Sequence, residues 1–386
     1  MTAGLFELPA PYALLQEEAR SLGRSVDGIA VQADEAGTVD PEIRAALAAS
    51  GLTTLLVPAA FGGRSERVDA LAVTVVREQL AQYSAHADSL FAMQGIGSFP
   101  ITTGGSDAVC KQWLPAVAAL DAVAALALTE PDVGSDLKAI TTQVTEQSGD
   151  LVLDGRKSFI TNAGDADFYC VLAREAGGDS AGSTYSMVLV PADSRGLSVC
   201  QPHQIIAPHV LGDVILDGVR VPAGSRLGDL GGGFQLALAT LGTFRVSVAG
   251  AAVGLAQAAL EEAVRHAADR ELFGGPLARL GGVPAALATS WTEIEMARAL
   301  TYRAASAASG DPLASLHLSS LAKVGATEAA GRVVDRAVQV MGRFGLVRGS
   351  KIERLYRAAR PMRIYEGSTE VILDSLARRL VREITA

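Results

Sequence analysis

The spacing of apolar residues changes twice along the chain, and this change limits the folds available to it. Residues 11 to 120 repeat apolar side chains at helical spacing, as in Ile43 and Leu47. From about Val123 the pattern favours β-strands, and after three glycines at 231–233 the helical spacing returns. We therefore predict an α+β protein with an N-terminal helical domain (1–122), a central β-domain (123–227) and a C-terminal four-helix bundle (228–386).

Local signals add detail to this division. In the β-domain, Asp154-Gly155 and Asp217-Gly218 each separate two β-favouring runs, a pattern typical of hairpin turns. The hairpins are expected at 151–161 and 214–221. In the last third of the chain, helices are expected at 234–270, 284–309, 314–341, 350–360 and 369–384.

Composition excludes several classes of protein. With 386 residues, 49% of them hydrophobic and 19% charged, the chain is typical of a well-packed enzyme. A net charge of -9 argues against nucleic-acid binding. The first residues lack a signal-peptide pattern and no run approaches 18 uninterrupted apolar residues, so we expect a cytoplasmic protein without a membrane span. The three cysteines and five histidines have no metal-ligand spacing, so no metal is expected.

One carboxylate, Glu366, lies on a glycine-containing turn between two predicted helices, in the segment RIYEGSTE at 363–370. Ile364 and Tyr365 indicate apolar surroundings, and no cationic neighbour follows it. Desolvation raises the pKa of such a glutamate and makes it a usable base near neutral pH. The alternative is an ordinary solvated loop residue.

Five segments resemble, in the same order, motifs of the acyl-CoA dehydrogenase family. They are LALTEPDVGSD at 126–136, KSFITNAG at 157–164, RELFG at 270–274, QVMGRFG at 339–345 and YEG at 365–367. Together they cover nearly the whole chain. The resemblance implies an FAD-dependent acyl-thioester dehydrogenase that forms a homotetramer or a dimer and passes electrons to an electron-transferring flavoprotein.

The resemblance also implies which residues hold FAD. They are Leu126, Leu128, Thr129, Ser135, Phe159, Ile160, Thr161, Arg270, Phe273, Gln339, Gly342, Arg343, Ser368 and Glu370. Arg270 is expected to reach the cofactor of a neighbouring subunit. The alternatives are strand-end capping for the hydroxyl residues, a core position for Phe159 and a helix C-terminal cation for Arg270.

Three positions depart from the family pattern. Phe159 stands where the family usually has tryptophan, Arg343 replaces a glycine, and Gly281 stands where a flavin-binding glutamine is common. Arg343 is either a further phosphate contact or a solvated residue.

The family's reaction is α,β-dehydrogenation. The resemblance implies that Glu366 removes the α-proton while the β-hydride passes to flavin N5, and that the Glu366 N–H and an FAD hydroxyl bind the thioester carbonyl. Some members carry the base just before an arginine on a long helix. Here Phe244 precedes Arg245, and phenylalanine cannot accept a proton. Ser135, Asp88, Arg245 and Gly367 are the candidate substrate contacts, with Arg245 supporting the wall of the site.

The acyl group is less well defined by the sequence. His86, Asp88, Ser89 and Gln94 lie near Phe91 and Met93 on the helix expected to form the acyl pocket. Polar groups there suit a short or polar acyl chain, unless they face solvent. No basic cluster for the CoA nucleotide is evident, which leaves an acyl carrier protein as an alternative to CoA. A flavin oxidase or monooxygenase of the same fold and a non-catalytic binding protein are the alternative functions.

Overall fold

The structure is a computed structural model that describes residues 8–176, 184–201, 204–207 and 209–385. It confirms the α+β fold, with helices before and after one central sheet. The helices of the first part are α1 (Ala10–Val26), α2 (Ala30–Glu35), α3 (Pro41–Ser50), α4 (Ala70–Leu80), α5 (Ala85–Gly104) and α6 (Asp107–Ala119). Those of the last part are α7 (Gly233–Asp269), α8 (Val283–Gly310), α9 (Leu316–Met341), α10 (Lys351–Ala359) and α11 (Thr369–Thr385). The domain boundaries at 122/123 and 227/228 stay a prediction.

The central sheet has eight strands. They are β1 (Ala124–Ala127), β2 (Gln143–Gln147), β3 (Asp150–Thr161), β4 (Phe168–Glu175), β5 (Tyr185–Pro191), β6 (Leu197–Cys200), β7 (Leu211–Pro222) and β8 (Arg226–Leu227). Their order is β6-β7-β3-β2-β4-β5-β8, and β1 pairs in parallel with β4. Alternate residues of these strands form an apolar layer rich in valine and leucine.

Both predicted hairpins are wrong. Each Asp-Gly pair lies inside one long strand, β3 or β7, and the two strands pair with each other. The register shifts there, so that Asp217 and Gly218 together oppose Asp154. Gly218 has a φ of +58°, and its N–H donates to Asp154 Oδ1 at 2.8 Å. The glycine therefore produces a β-bulge in a continuous strand instead of a chain reversal.

Helix α4 lies between α1, α5, α7 and α8, and all of its residues are buried. Two glycines of α7 allow this close packing, because a Cβ at Gly250 would lie 2.6 Å from Thr74 O and one at Gly254 only 1.9 Å from Glu78 O. Burial of a whole helix forces its charged residues, Arg77 and Glu78, to find partners inside the protein.

The C-terminal bundle is held by α7, α8 and α9, whose shared core consists mainly of alanine. Helix α7 is long and apolar enough to cross a membrane by length and composition, but 72% of its most apolar window is buried inside the fold. This degree of burial is typical of a helix in the core of a folded protein. The bundle places the start of α11 against α9, and this contact positions the segment that carries Glu366.

Candidate active site

Glu366 lies on a tight turn between a single helical turn at Pro361–Arg363 and α11. Its φ is +54°, in the left-handed region that a non-glycine residue seldom adopts, and Gly367 follows with a φ of +100°. Strain of this kind persists only where the surrounding structure imposes it, and it is concentrated at functional sites.

Two long helices hold the turn through its backbone. Arg245 of α7 donates from Nε to the carbonyl oxygen of Glu366 at 3.0 Å. Lys323 of α9 donates from Nζ to the carbonyl oxygen of Gly367 at 2.7 Å. Consecutive carbonyls of the strained turn are thus bound by two cations from different helices.

Burial raises the pKa of the Glu366 carboxyl, against the opposing effect of Arg77, Arg245 and Lys323. Its Oε2 atom is buried and has no hydrogen-bond partner among the described residues. The expected rise in pKa therefore agrees with the structure, and although no cation follows Glu366 in sequence, three cations act on its carboxyl in the fold. The cations come from α4, α7 and α9, far away in sequence, so the segment around Glu366 could not reveal them.

Asp88 of α5 does not offer its carboxylate to an acyl chain. Both of its oxygens accept from Arg77, at 2.8 Å from Nε and 2.8 Å from Nη2. Arg77 Nη1 also donates to Ser247 Oγ of α7 at 3.0 Å. The pair is almost fully buried, and such a bidentate arrangement is the geometry that compensates the desolvation of both charges.

The other polar residues of α5 do not face solvent as a group either. His86 Nε2 accepts from the N–H of Asp40, and Gln94 bonds the backbone at Ala122 and Ala124. Both side chains are buried. These bonds connect α5 to neighbouring elements and exclude the interpretation that His86 and Gln94 face solvent, whereas a contact with substrate stays a prediction.

Among the polar residues of α5, Ser89 contacts a side chain that packs beside the turn at Glu366 and Gly367, called the catalytic turn below. Its Oγ lies 3.2 Å from His209 Nδ1, and the imidazole of His209 packs edge-on against the ring of Tyr365, with 5.8 Å between the ring centroids. Burial lowers the pKa of His209 to about 4, so the imidazole is neutral at pH 7. Ser89, His209 and Tyr365 thus place neutral polar atoms beside the base.

The first two flavin-related motifs meet in the sheet. Lys157 Nζ donates to Leu128 O at 2.9 Å, and the N–H of Ser158 donates to Thr129 O at 2.9 Å. Lys157 also pairs with Glu130 at 2.9 Å, in a site where both side chains are buried. Burial alone would raise the pKa of Glu130, but Lys157 and hydrogen bonds from Thr141 and Thr142, just before β2, lower it to about 2. This ion pair fixes the loop that carries Thr129.

Phe159 lies on an irregularity of β3 beside this loop. Its φ is +55°, and the register with β7 shifts between Lys157 and Ile160. Asp213 of β7 supports the irregularity by accepting from Ser158 Oγ at 2.6 Å and from the Phe159 N–H at 3.3 Å. The phenyl ring remains 47% exposed, which excludes the core position considered from sequence.

The remaining candidates on this face differ in accessibility. The side chains of Leu126, Leu128, Thr129 and Thr161 are half-buried, and Ser135 is exposed. Ile160 is 2% exposed, so a contact there can involve only its backbone. Ser368 is half-buried and Glu370 exposed at the start of α11.

A second group of candidates lies at the far end of α7. Two short strands, β9 (Glu271–Leu272) and β10 (Gly275–Pro276), form a hairpin whose tip is Phe273-Gly274. Both tip residues have positive φ, +51° and +86°, as a two-residue hairpin turn requires. Phe273 is 92% exposed, an unusual state for a large aromatic side chain in a left-handed conformation.

The glycine turn after α9 lies at the same end. His266 of α7 contacts Phe344 beyond α9, with ring centroids 5.5 Å apart. Gly342 has a φ of +57°, and open space surrounds the position where a Cβ would be. Gln339 and Arg270 are exposed. Arg343 is exposed as well and stacks on Phe344 at 5.1 Å from the ring centroid, so it is not simply solvated.

The two groups are far apart within one chain. Arg245 contacts the catalytic turn, and from Arg245 to His266 helix α7 rises about 30 Å. Along α9 the rise from Lys323 to Gln339 is about 24 Å. The reactive ring and the diphosphate of one FAD are joined by a short ribityl chain, which does not span such a distance.

Each group taken alone fits a part of FAD. The sheet face presents the hydroxyls of Thr129, Ser135 and Thr161 and an accessible phenyl ring, which suit a neutral isoalloxazine ring. The far end presents an exposed arginine and a side-chain-free glycine turn, which suit a diphosphate. The fold and the two groups therefore indicate a protein that binds a flavin dinucleotide.

Comparison with known proteins identifies the family. The models of the N-terminal, middle and C-terminal domains of acyl-CoA dehydrogenases match residues 12–121, 125–218 and 231–381. The chain belongs to the acyl-CoA dehydrogenase family, whose cofactor is FAD.

Individual relatives match over nearly the whole chain. Cyclohexane-1-carbonyl-CoA dehydrogenase of Geobacter metallireducens is 33% identical over 356 residues, which are 92% of this chain and 93% of the relative. Among solved structures, butyryl-CoA dehydrogenase of Megasphaera elsdenii matches with a TM-score of 0.91, 30% identity and coverage of 97% and 99%. An acyl-CoA dehydrogenase of Bacillus anthracis complexed with FAD matches with a TM-score of 0.89 and 25% identity, over 98% of this chain and 68% of that one.

The sequence alone did not point to four residues of the site: Arg77, Lys323, His209 and Asp213. For Lys323 a signal exists. It lies at helical spacing with Ser319, Ala326 and Ala330 on the buried face of α9, and a lysine on an apolar stripe requires a partner. For Arg77 the surrounding apolar residues at 70–80 are a comparable sign of full burial. His209 and Asp213 carry no signal that separates them from ordinary strand and loop residues.

Proposed function

We propose that this protein catalyses the FAD-dependent α,β-dehydrogenation of a short or polar acyl thioester, with Glu366 as the base that removes the α-proton. The observation that supports this most strongly is the state of the Glu366 carboxyl. One oxygen is buried without a partner, burial raises the pKa of the group, and its backbone is held in a strained conformation. A carboxylate in such surroundings is poised to accept a proton near neutral pH.

The groups around Glu366 define its task. Desolvation makes the carboxylate a stronger base, while Arg77, Arg245 and Lys323 keep part of it ionised. The thioester carbonyl is expected to bind the backbone N–H of Glu366, which would stabilise the charge that develops on the oxygen as the α-proton leaves. One such donor is typically worth about 3 kcal/mol. Phe244, at the alternative base position, is fully buried beside Phe99 and has no acid–base chemistry.

FAD, when bound, supplies the acceptor for the β-hydride. On the sheet face, Thr129, Ser135 and Thr161 would hold its ring by hydrogen bonds, with Phe159 as an apolar support. The remaining contacts to this half of FAD would come from the backbone of Leu126, Leu128 and Ile160 and from Ser368 and Glu370. At the far end, Arg270, Phe273, Gln339, Gly342 and Arg343 would hold the diphosphate half of a cofactor that belongs to another copy of the chain.

A compact acyl group fits the side chains near the base. Asp88 is fully engaged by Arg77, so the polar atoms available near Tyr365 are those of Ser89 and His209. Neutral donors and acceptors suit a short chain with a polar substituent better than a long alkyl chain, which would leave them unpaired. The cyclic and short acyl groups in the names of two relatives are consistent with a compact substrate.

The remaining parts of the proposal concern partners. We expect Ser135, Arg245 and Gly367 to line the thioester, CoA or an acyl carrier protein to be the thiol, and an electron-transferring flavoprotein to accept the electrons. A dimer or tetramer in the cytoplasm is the expected form, because each complete FAD site needs residues of two chains.

The test is anaerobic reduction of the protein-bound flavin by thioesters. A panel of short, branched and hydroxylated acyl groups would be offered as CoA and as carrier-protein thioesters, and the loss of the yellow flavin absorbance followed. We expect bleaching by a short or polar acyl group without added reductant. Absence of bleaching by every thioester, together with oxygen consumption on another class of substrate, would overturn the proposal in favour of an oxidase or monooxygenase.

A further inference from the structure

Helix α9 contacts the segment 363–369, which carries Glu366, at several positions. Besides Lys323, Glu328 accepts from Arg363 Nε and from Thr369 Oγ1, both at 2.8 Å. Ser320, one turn before Lys323, accepts from Arg245 Nη1 at 3.1 Å. The segment is therefore anchored before, at and after the strained turn.

Lys323 differs from the other anchors in its burial. Its side chain is 0% exposed, whereas Glu328 and Arg363 both remain partly accessible. A desolvated ammonium is unfavourable unless its charge and its donors are used. The carbonyl oxygen of Gly367 takes a hydrogen bond of 2.7 Å from it, and the carboxylates of Glu366 and Glu370 attract it.

We propose that Lys323 is a positioning residue for the catalytic base: by binding the Gly367 carbonyl while Arg245 binds that of Glu366, it fixes the left-handed turn that aims the Glu366 carboxylate at the substrate. This inference rests on the proposed function of Glu366. Lys323 itself touches neither substrate nor cofactor in this account.

The geometry explains why two cations are needed. A single hydrogen bond to one carbonyl leaves the peptide plane free to rotate about it. Bonds to two consecutive carbonyls, from two different helices, restrict the peptide planes on either side of Gly367 and with them the backbone torsion that follows Glu366. The positive φ at 366 is disfavoured for a glutamate and would otherwise relax.

The same ammonium contributes to the charge balance of the base. The cations that act on the Glu366 carboxyl are Arg77 on α4, Arg245 on α7 and Lys323 on α9. Arg77 is committed to Asp88, so its charge is largely compensated. Removal of Lys323 should therefore raise the pKa of Glu366 further, because an opposing charge is lost while the burial remains.

Three variants separate the effect of the hydrogen bond from that of the charge. Lys323→Met removes both the hydrogen bond and the charge, whereas Lys323→Gln keeps an N–H donor without the charge. Arg332→Met is the control: it removes a half-exposed cation of the same helix that is paired with Glu293. The measurements are the rate of anaerobic flavin reduction against pH, the substrate dissociation constant, and amide hydrogen exchange of residues 364–368. The exchange measurement does not depend on turnover.

For Lys323→Met we expect a rate lower by roughly 100-fold, the size that misplacement of a reacting group by about 1 Å can produce. The acidic limb of its pH profile should move to higher pH, with an unchanged dissociation constant and faster amide exchange. Lys323→Gln should show the same pH shift with nearly normal exchange. Arg332→Met should behave as the wild type.

A wild-type pH profile and wild-type exchange in both Lys323 variants would overturn the inference. If Lys323→Met fails to fold, Lys323→Ala replaces it in the exchange measurement, where wild-type exchange of residues 364–368 would overturn the inference. If no thioester reduces the wild-type flavin, the proposed function fails, whereas the exchange measurement still tests the anchoring of the turn.

Discussion

The catalytic turn and the far end of α7 differ in how far their polar and aromatic groups have partners within the chain. Around Glu366 the two carbonyls of the turn are bound by Arg245 and Lys323, and the carboxyl lies within the influence of three cations of the same chain. At the other end, Arg270 is exposed, Phe273 is 92% exposed, and Gly342 faces open space. The carbonyls of the first region have partners in the same chain, whereas the groups of the second are the ones we propose to bind the cofactor of another copy of the chain.

The difference shows how to separate catalysis from assembly. Changes around Glu366 should alter reaction rate or stability in each chain independently. Changes at the far end should leave the folded chain intact and alter only the binding of the cofactor that we propose to be shared between chains.

The largest effect is expected from Glu366→Gln. The amide fills the same volume but cannot accept the α-proton, so flavin reduction by the thioester should slow by about 10⁴-fold, the upper range for loss of a general base. FAD content and thermal stability should stay normal. Stopped-flow absorbance under anaerobic conditions measures the rate, and an undiminished rate would show that the base lies elsewhere.

The next effect is on stability, at the buried pair of Arg77 and Asp88. Arg77→Met leaves the Asp88 carboxylate buried without its partner, which should cost about 3–5 kcal/mol in the free energy of unfolding. The double variant Arg77→Met/Asp88→Leu removes both charges and should recover most of this loss. Urea unfolding measures both. Equal destabilisation by the single and double variants would show that packing, not the unpaired charge, dominates.

A smaller effect is expected at the far end, from Arg270→Met. Loss of a charged contact to the diphosphate should weaken FAD binding by about 1.5–3 kcal/mol, while the unfolding of the apoprotein changes by less than about 0.5 kcal/mol. Arg279→Met, on the short helical turn that follows the hairpin, is a matched control. FAD binding followed by fluorescence measures the difference. Equal retention of FAD by the two variants would remove Arg270 from the cofactor site.

The sequence predicts this molecule well where the determinants are local. The predicted ends of the helices in the last third fall within two residues of the observed ends. The apolar spacing that indicates each helix and the glycines that end it are both local features of the sequence. The two Asp-Gly pairs led to a wrong prediction, because the same dipeptide occurs in hairpin turns and in β-bulges. Only the pairing between β3 and β7 determines which of the two forms here. The resemblance to known motifs located Glu366, but not the charges that surround it.

Those charges depend on tertiary packing. Arg77 and Asp88 lie 11 residues apart on different helices, and Lys323 lies 44 residues from Gly367 in sequence. No local pattern specifies which buried cation meets which carboxylate or carbonyl. Full burial of α4 between its neighbours determines the first pair, and the docking of α11 on α9 determines the second contact.

A subunit-mixing experiment tests most directly whether the two regions complete one site across chains. Glu366→Gln and Arg270→Met chains carrying different affinity tags would be co-expressed, and the mixed dimers isolated and assayed for thioester-dependent flavin reduction. If Arg270 serves its neighbour, each mixed dimer holds one intact site and should regain about half of the wild-type activity per dimer. If both regions of a site came from the same chain, every site would carry one substitution, and the mixed dimer would be no more active than the average of its parents.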